Sequence, residues 1–495
     1  MTTSAGALLP YNIPKEVLFA VETLENGGFE AFLVGGCVRD MIIGRKPSDW
    51  DIATNAKPEE IEPLFEKTFY ENDYGTVGVV FEDTKEETTR VIEITPYRKE
   101  GAYSDFRRPD TVSFGNSLEE DLDRRDFTIN AIAYNPSKGQ IVDPHGGIKD
   151  IKDKTVRAVG NPEDRFSEDA LRLMRAVRIA TELGFSIDNV SRETILESSQ
   201  NLGKIATERI RVEFEKIIMS IHPRRGIESL RELGLLAYAI PELEGAFGVE
   251  QGGAHAYDVG EHLLRSLQAA ADKKWPLEVR LAALLHDIGK PGTRGAGKHK
   301  EYSFYGHEVA GARMARDILG RLKFPRETID TVRTLVRWHM FFSDTEQITH
   351  SAVRRMIRNV GQENIQNLMN LRICDRVGTG RPKEKPYRFR KYQAMIDEVL
   401  RDPVSVGMLA TDGARVMDVT HETPGPRIGA ILHALLEEVL DDPQKNIADY
   451  LEKRAEELSA LSDEQLTTLG EKGKERRDEL EEEIIKDIRK GHSVA

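Results

Sequence analysis

Residues 14–28 place Val17, Leu18, Val21 and Leu24 at helical spacing, which predicts an amphipathic helix. Phe32, Leu33 and Val34 then read as a strand that ends on Gly35-Gly36, with a short helix running from there to Gly44. Residues 57–65 predict a second helix, Pro58 sitting near its start. Alternation over 74–81 and 90–95 predicts two strands, and Glu93 interrupts the second between Ile92 and Ile94. Further on the period turns helical. Ala170, Leu173, Met174, Val177 and Ala180 form one stripe, with Ser167 suited to cap its start, and Ile210, Phe214, Ile217, Ile218 and Ile221 form another. Residues 390–460 read as helices, and the chain from Glu471 reads as a charged helix or a disordered arm. Strands confined to the first third and helices everywhere after it predict an α+β protein.

A chain of 495 residues exceeds what one core supports, so several domains are expected. We place them at 1–158, 159–240, 241–380 and 381–495, the last joined by the linker-like Arg-Pro-Lys-Glu-Lys-Pro run. No apolar run approaches ~18 residues, and the first residues lack the features of a signal peptide. Only two cysteines occur, Cys37 and Cys374, far apart and without metal spacing, which predicts a reduced, cytoplasmic setting. The net charge of −14 argues against a nucleic-acid partner, but Arg107-Arg108, Arg124-Arg125 and Arg172, Arg175 and Arg178 are locally basic. Charge therefore neither supports nor excludes RNA.

The chemistry begins at 32–54. On a strand Asp49 and Asp51 share a face with Trp50 opposed, and two carboxylates that close call for a cation between them. Upstream, Gly35 and Gly36 opening a helix offer bare backbone N–H groups to a phosphate, and Arg39 adds a fixed positive fork. A lone Asp-x-Asp is common on solvated surfaces; a phosphate cradle followed within ~20 residues by a metal grip is not.

GG-x-VRD followed by D-x-D resembles the first motif of the nucleotidyltransferase superfamily, in the branch of tRNA CCA-adding enzymes and bacterial poly(A) polymerases. The resemblance implies a nucleotidyltransferase-type head with a small β-sheet and helices, an all-helical neck and body, and Mg2+ at the head. It places an acidic residue at Glu93, a third carboxylate beside Asp49 and Asp51. The polar stretch 97–109 resembles the family's flexible loop, with Arg98, Glu100 and Arg107 or Arg108 assisting the final A addition. Residues 122–134, with Arg124-Arg125-Asp126 and Asn130-Ala131-Ile132-Ala133, match the second motif and imply ribose and phosphate contacts from Arg125, Asp126 and Asn130. Residues 143–150 resemble the third motif and read equally well as a Gly-rich turn. Glu168-Asp169-x-x-Arg172 is the family's base-selecting motif. Its chemistry can be worked through: cytosine and adenine both offer an amino group beside an acceptor ring nitrogen, which a carboxylate and a guanidinium side by side satisfy, whereas uracil and guanine present the reverse polarity. Glu208-Arg209 resembles the fifth motif and is expected to brace the preceding helix.

A second cluster of ligand types follows. His262, His286-Asp287, His307, His339 and Asp375 fall on successive expected helices, a series suited to converge nitrogen and carboxylate on a transition metal. Residues 284–291 resemble the HD metal-dependent phosphohydrolase domain, with His262, His286, Asp287 and Asp375 around the metal. His307 and His339 would take a second metal or the substrate phosphate, and His255 competes with His262.

The expected activity is template-independent addition of CCA to the tRNA 3′ end from CTP and ATP, with release of diphosphate. The partners are thus tRNA, ATP and CTP, with no membrane, and the HD domain adds a phosphohydrolase function with its own divalent transition metal. The alternatives are a poly(A) polymerase or A-adding tRNA nucleotidyltransferase, and, from another class, an HD phosphohydrolase whose head only binds nucleotide or RNA.

Overall fold

The computed structural model describes residues 12–70, 75–100, 112–115, 117–252, 256–296, 302–341, 348–380, 383–401 and 405–494. They fall into two compact units, one of residues 1–339 with 366–382, the other of residues 340–365 with 383–495.

In the first unit a helix, Lys15–Asn26, precedes the strand β1 (Ala31–Val34), whose four residues are all buried. Then come β2 (Asp51–Thr54), β3 (Thr68–Tyr70), β4 (Val77–Val80), β5 (Val91–Pro96), β6 (Arg98–Glu100), β7 (Val112–Phe114), β8 (Ala133–Asn135) and β9 (Gln140–Val142). Seven of them make one sheet in the order β3-β4-β5-β2-β1-β8-β9, mixed because β2 and β5 run parallel while the other pairs are antiparallel. The parallel pair puts two central strands in the same direction, so carboxylates at equivalent positions come side by side. Strands β3, β6, β8 and β9 were not expected: each is three residues long, too short for alternation to register. The stretch 97–109, expected as one loop, gives its first residues to β6, paired with β7.

Gly35 adopts a positive φ of 77° as the chain turns from β1 into the helix Gly36–Ile43, a conformation that favours glycine. That helix buries Cys37, Val38 and Met41, and Trp50 is buried just before β2.

The helical part opens with Pro162–Glu168, capped by the Asn161 side chain. Here the structure corrects the expected start. Ser167 caps nothing; it lies inside this helix and donates to the Asp164 carbonyl (2.8 Å). The chain is extended at Asp169 (φ −139°, ψ 105°), and a new helix, Leu171–Leu183, begins after it. It packs against Thr207–Met219. Helices Val259–Asp272, Leu277–Leu285, His307–Arg321, Arg326–Trp338 and Ile365–Gly378 follow in this unit.

The second unit holds His350–Val360, Tyr387–Leu400, Gly413–Thr420, Pro426–Asp441, Ala448–Ser459 and Asp463–Gly491. The charged tail is thus a helix, opened by a capping box between Ser462 and Gln465. It lies close along Pro426–Asp441, where a Cβ at Gly473 would stand 2.1 Å from the His433 carbonyl oxygen. Residues 340–365, placed by sequence with 241–380, group with this unit instead. Among the described residues no helix is long and apolar enough to cross a membrane.

Candidate functional site

Two clusters in the first unit carry chemistry. In the head, Asp51 opens β2, half-buried, and pairs in register with Glu93 on β5. Asp49 stands exposed at the bend before β2, with Trp50 buried between the two. Gly35 and Gly36 face them closely. A Cβ at Gly35 would lie 2.9 Å from the Arg125 guanidinium and 3.6 Å from the Asp51 carboxylate; one at Gly36 would lie 3.6 Å from Arg39 and 3.9 Å from Asp49. Side chains at either position would fill the space between the arginines and the carboxylates.

The arginines are aimed by partners both near and distant in sequence. Arg39 donates to Asn130 Oδ1 (2.7 Å) and to Asp40 (2.9 Å), and Asn130 Nδ2 donates to Asp126 Oδ1 (3.0 Å). Arg175 grips the other oxygen of Asp126 through Nε (2.8 Å) and Nη2 (2.6 Å). Burial pushes the Asp126 carboxyl up, but the charge of Arg175 and the hydrogen bond from Asn130 outweigh it and hold it well below the usual carboxylate range. Arg125 is held by the fully buried Asp121 (3.1 Å), which Arg124 shares, and reaches the Asn130 carbonyl (3.5 Å).

Asp169 and Arg172 sit across the helix break rather than on one helix. One Asp169 oxygen accepts the Leu171 N–H (3.0 Å), and both accept from Arg209 (3.2 and 2.7 Å). Arg172 donates to the carbonyls of Arg165 (3.0 Å) and Arg124 (3.1 Å) and to Glu168. Arg98 donates to Thr76 (2.7 Å). The Glu100 side chain, Arg107, Arg108 and His255 lie outside the described residues. Sequence reasoning missed Asp121; it read Arg175 only within a basic run, and Glu213, which accepts from Arg178, only as part of the fifth motif, with no place in the site for either. Arg175 carried one signal, its place one turn beyond Arg172.

The second cluster is buried. His262 and His286 meet through Nε2 at 2.9 Å, and His307 and His339 through Nε2 at 3.3 Å. Asp287 lies between the pairs: Oδ2 faces His262 (3.3 Å) and His286 (3.5 Å), and Oδ1 faces His307 (3.3 Å) and His339 (3.5 Å). Asp375 Oδ1 approaches His262 (3.5 Å) and His286 (3.9 Å). Lys290 donates to Asp287 Oδ2 (2.6 Å) and to Gln251 (2.6 Å).

The tautomers follow from the backbone. Nδ1 of His286, His307 and His339 lies 3.0, 2.7 and 2.7 Å from the carbonyls of Ala283, Phe304 and Val336, which can only accept. Nδ1 therefore carries the proton, and Nε2 presents a lone pair inward. Burial pushes the His286 imidazole down to about 3, so it stays neutral. In His307 burial acts to lower the imidazole, but the adjoining Asp287 carboxylate outweighs it and raises it. Asp287 is held well below the carboxylate range, the Lys290 ammonium overcoming its burial. Lone pairs of His307 and His339 facing each other beside a carboxylate fit a cation. His262, His286 and Asp375, and likewise Asp287, His307 and His339, bring one ligand atom each within 4.8 Å of one another. Among the described residues the head carboxylates form no such group.

Three family models match the chain: the poly A polymerase head domain over residues 31–157, a probable RNA and SrmB-binding site of polymerase A over 184–247, and the HD domain over 259–380. The chain is 47% identical over 219 residues to the CCA-adding enzyme of Lactiplantibacillus plantarum, covering 44% of this chain and 52% of that one. It is 45% identical over 230 residues to the CCA-adding enzyme of Anoxybacillus flavithermus, covering 46% of this chain and 56% of that one. The chain spans about half the length of these curated relatives. Its fold is similar to the crystal structure of the Bacillus stearothermophilus CCA-adding enzyme in complex with CTP, with a TM-score of 0.60 and 29% identity over 90% of this chain and 96% of that one.

Proposed function

We propose, for a chain that belongs through its head to the nucleotidyltransferase family of poly(A) polymerases and CCA-adding enzymes, that it adds CCA to the 3′ end of tRNA without a template. CTP and ATP are the substrates and diphosphate leaves. The observation that carries this reading is the register of Asp51 beside Glu93 under the Gly35–Gly36 cradle, with Asp49 at its rim. Asp49, Asp51 and Glu93 would hold Mg2+, which would supply charge neutralisation at the triphosphate and a more acidic 3′-hydroxyl. The open arrangement of these carboxylates fits an ion that arrives with its nucleotide and keeps much of its water.

The chain's own groups do the rest. Arg39 and Arg125, aimed by Asn130 and Asp121, present paired donors to phosphate oxygens. Asp126 and Asn130 stand ready for the ribose. Asp169 accepts from the exocyclic amine of cytosine or adenine and Arg172 donates to the ring nitrogen, and the Arg209 fork keeps the carboxylate from turning away. Arg98, with Glu100 and Arg107, serves the final A addition. The cytoplasm, where tRNA and reduced cysteines coexist, is the fitting location.

The buried cluster supports a second activity: hydrolysis of a phosphate ester with a divalent transition metal held by His262, His286, Asp287 and Asp375, with His307 and His339 completing a second position. What favours it is Asp287, whose two oxygens each face a histidine pair.

The test supplies tRNA lacking its CCA end together with CTP and ATP, and sequences the product 3′ end. CCA is expected; a single A or a run of A overturns the reading in favour of an A-adding enzyme or a poly(A) polymerase.

A further inference from the structure

Asp287, at the middle of the buried cluster, turns both oxygens to histidines, Oδ2 to His262 and His286 and Oδ1 to His307 and His339. Asp375 is held differently. Its Oδ1 approaches Nε2 of His262 (3.5 Å) and of His286 (3.9 Å), and its Oδ2 accepts from Nη1 of Arg372. Arg372 and Asp375 lie three apart on the helix Ile365–Gly378, so both side chains leave one face of it. The Asp375 side chain is 12% exposed and that of Arg372 30%, so the pair runs from the buried histidines towards the surface. Lys290 makes the corresponding contact to Asp287, but on Oδ2, the same oxygen that faces His262 and His286. Arg372 takes the other oxygen of its carboxylate.

Two effects of this guanidinium oppose each other. Its charge repels a cation in the cluster, which weakens metal binding. Its hydrogen bond holds the ligand carboxylate still, which strengthens metal binding. A carboxylate without such a partner can rotate, or close on a metal through both oxygens. With Oδ2 tied, Asp375 offers Oδ1 alone, on the side of His262 and His286, the two imidazoles with which it forms a group of candidate ligands. The guanidinium and the histidines meet different oxygens, so Arg372 leaves free the position a cation takes, and the second effect prevails. We infer that Arg372 is a positioning residue of the buried site: it fixes Asp375 as a one-oxygen ligand and thereby keeps one place on the ion for the phosphate ester. The inference rests on the metal-dependent phosphohydrolase reading above.

The test strips the full chain of metal with a chelator and titrates it with Co2+ alone, followed by calorimetry and visible absorption. Arg372→Ala is expected to bind Co2+ about tenfold more weakly than the wild type. Its visible bands should also weaken per bound ion, because a carboxylate free to bind through both oxygens raises the coordination number. Arg372→Lys keeps a donor for the single contact, so it should hold the wild-type bands and lose less affinity. In an Asp375→Ala chain, Arg372→Ala should cause no further loss, since it acts through that carboxylate. CTP incorporation, carried out by the head, serves as the control for folding, and Arg372→Met, which keeps the aliphatic stem, replaces Arg372→Ala if that variant does not fold. Co2+ affinity equal to or tighter than the wild type's overturns the inference, the charge effect then being the larger. Weaker affinity with unchanged bands overturns it too, as does a further loss in the Asp375→Ala chain. A wild type that takes up no Co2+ overturns the metal reading itself, and the inference with it.

Discussion

The head and the buried cluster are both built from carboxylates and basic side chains, yet they solve opposite problems. In the head, Asp49 is exposed, Asp51 and Glu93 are half-buried, and the converging groups are arginines braced by Asn130, Asp121 and Asp126. In the HD cluster all six ligand-type residues are buried, and their Nε2 and carboxylate atoms already crowd together. Desolvated lone pairs and carboxylates so close are costly without a cation, so the cluster has the donors and the burial of a candidate metal site. An open carboxylate pair under a glycine floor, with arginines beside it, instead leaves room for a charged ligand.

The sharpest way to break this comparison is a reciprocal pair of substitutions. Asp51→Asn is expected to reduce CTP incorporation into tRNA in single turnover by roughly 1,000-fold, about 4 kcal/mol of barrier, and to leave the tightly bound metal content unchanged by elemental analysis. Asp287→Ala should do the reverse: the purified protein loses its bound transition metal while CTP incorporation stays within about twofold. If Asp287→Ala abolishes incorporation, the two clusters do not act separately.

A middling effect is expected at Arg209, which sets both oxygens of Asp169. Arg209→Lys removes the bidentate fork but keeps the charge. It should lower kcat/KM for CTP and ATP by about tenfold and raise UTP misincorporation, since a loosely held carboxylate no longer penalises the reversed polarity of uracil. An unchanged ratio of CTP to UTP would show that Arg209 has no part in orienting Asp169.

The smallest effect concerns Asp126. Its carboxyl titrates below its unfolded value, so the unfolded chain binds the proton more readily, and the group's contribution to stability is present above about pH 4. That contribution is lost as pH falls through the folded value. Asp126→Asn should therefore flatten the acid limb of the melting temperature against pH and leave the curve near neutrality lower but parallel. An acid limb as steep as the wild type's would refute the assignment.

Much of both sites could be read along the chain because their residues are local in sequence or sit in spaced motifs: Gly35 to Asp51, Arg125 to Asn130, His286 with Asp287. What escaped was long-range or conformational. The apolar spacing from Ala170 onward continues smoothly through a region where Asp169 is extended, so periodicity alone cannot reveal the break. The basic runs Arg124-Arg125 and Arg172, Arg175 and Arg178 look like an RNA surface, but Asp121, Glu168, Asp126 and Glu213 neutralise them. Among the described residues Arg354, Arg355 and Arg358, in a helix whose sequence drew no attention, are exposed.

By itself, then, the sequence determined which side chains exist for metal, phosphate and base, and the helical or extended period that carries them, since both are local properties of the chain. Only the tertiary structure decided which charges are cancelled, which carboxylate stands beside which strand, and which histidines share a buried space. Those outcomes depend on pairings tens of residues apart, from Asp169 with Arg209 to His286 with His339, and on burial, which sets whether a charge is neutralised, solvated or left to seek a ligand.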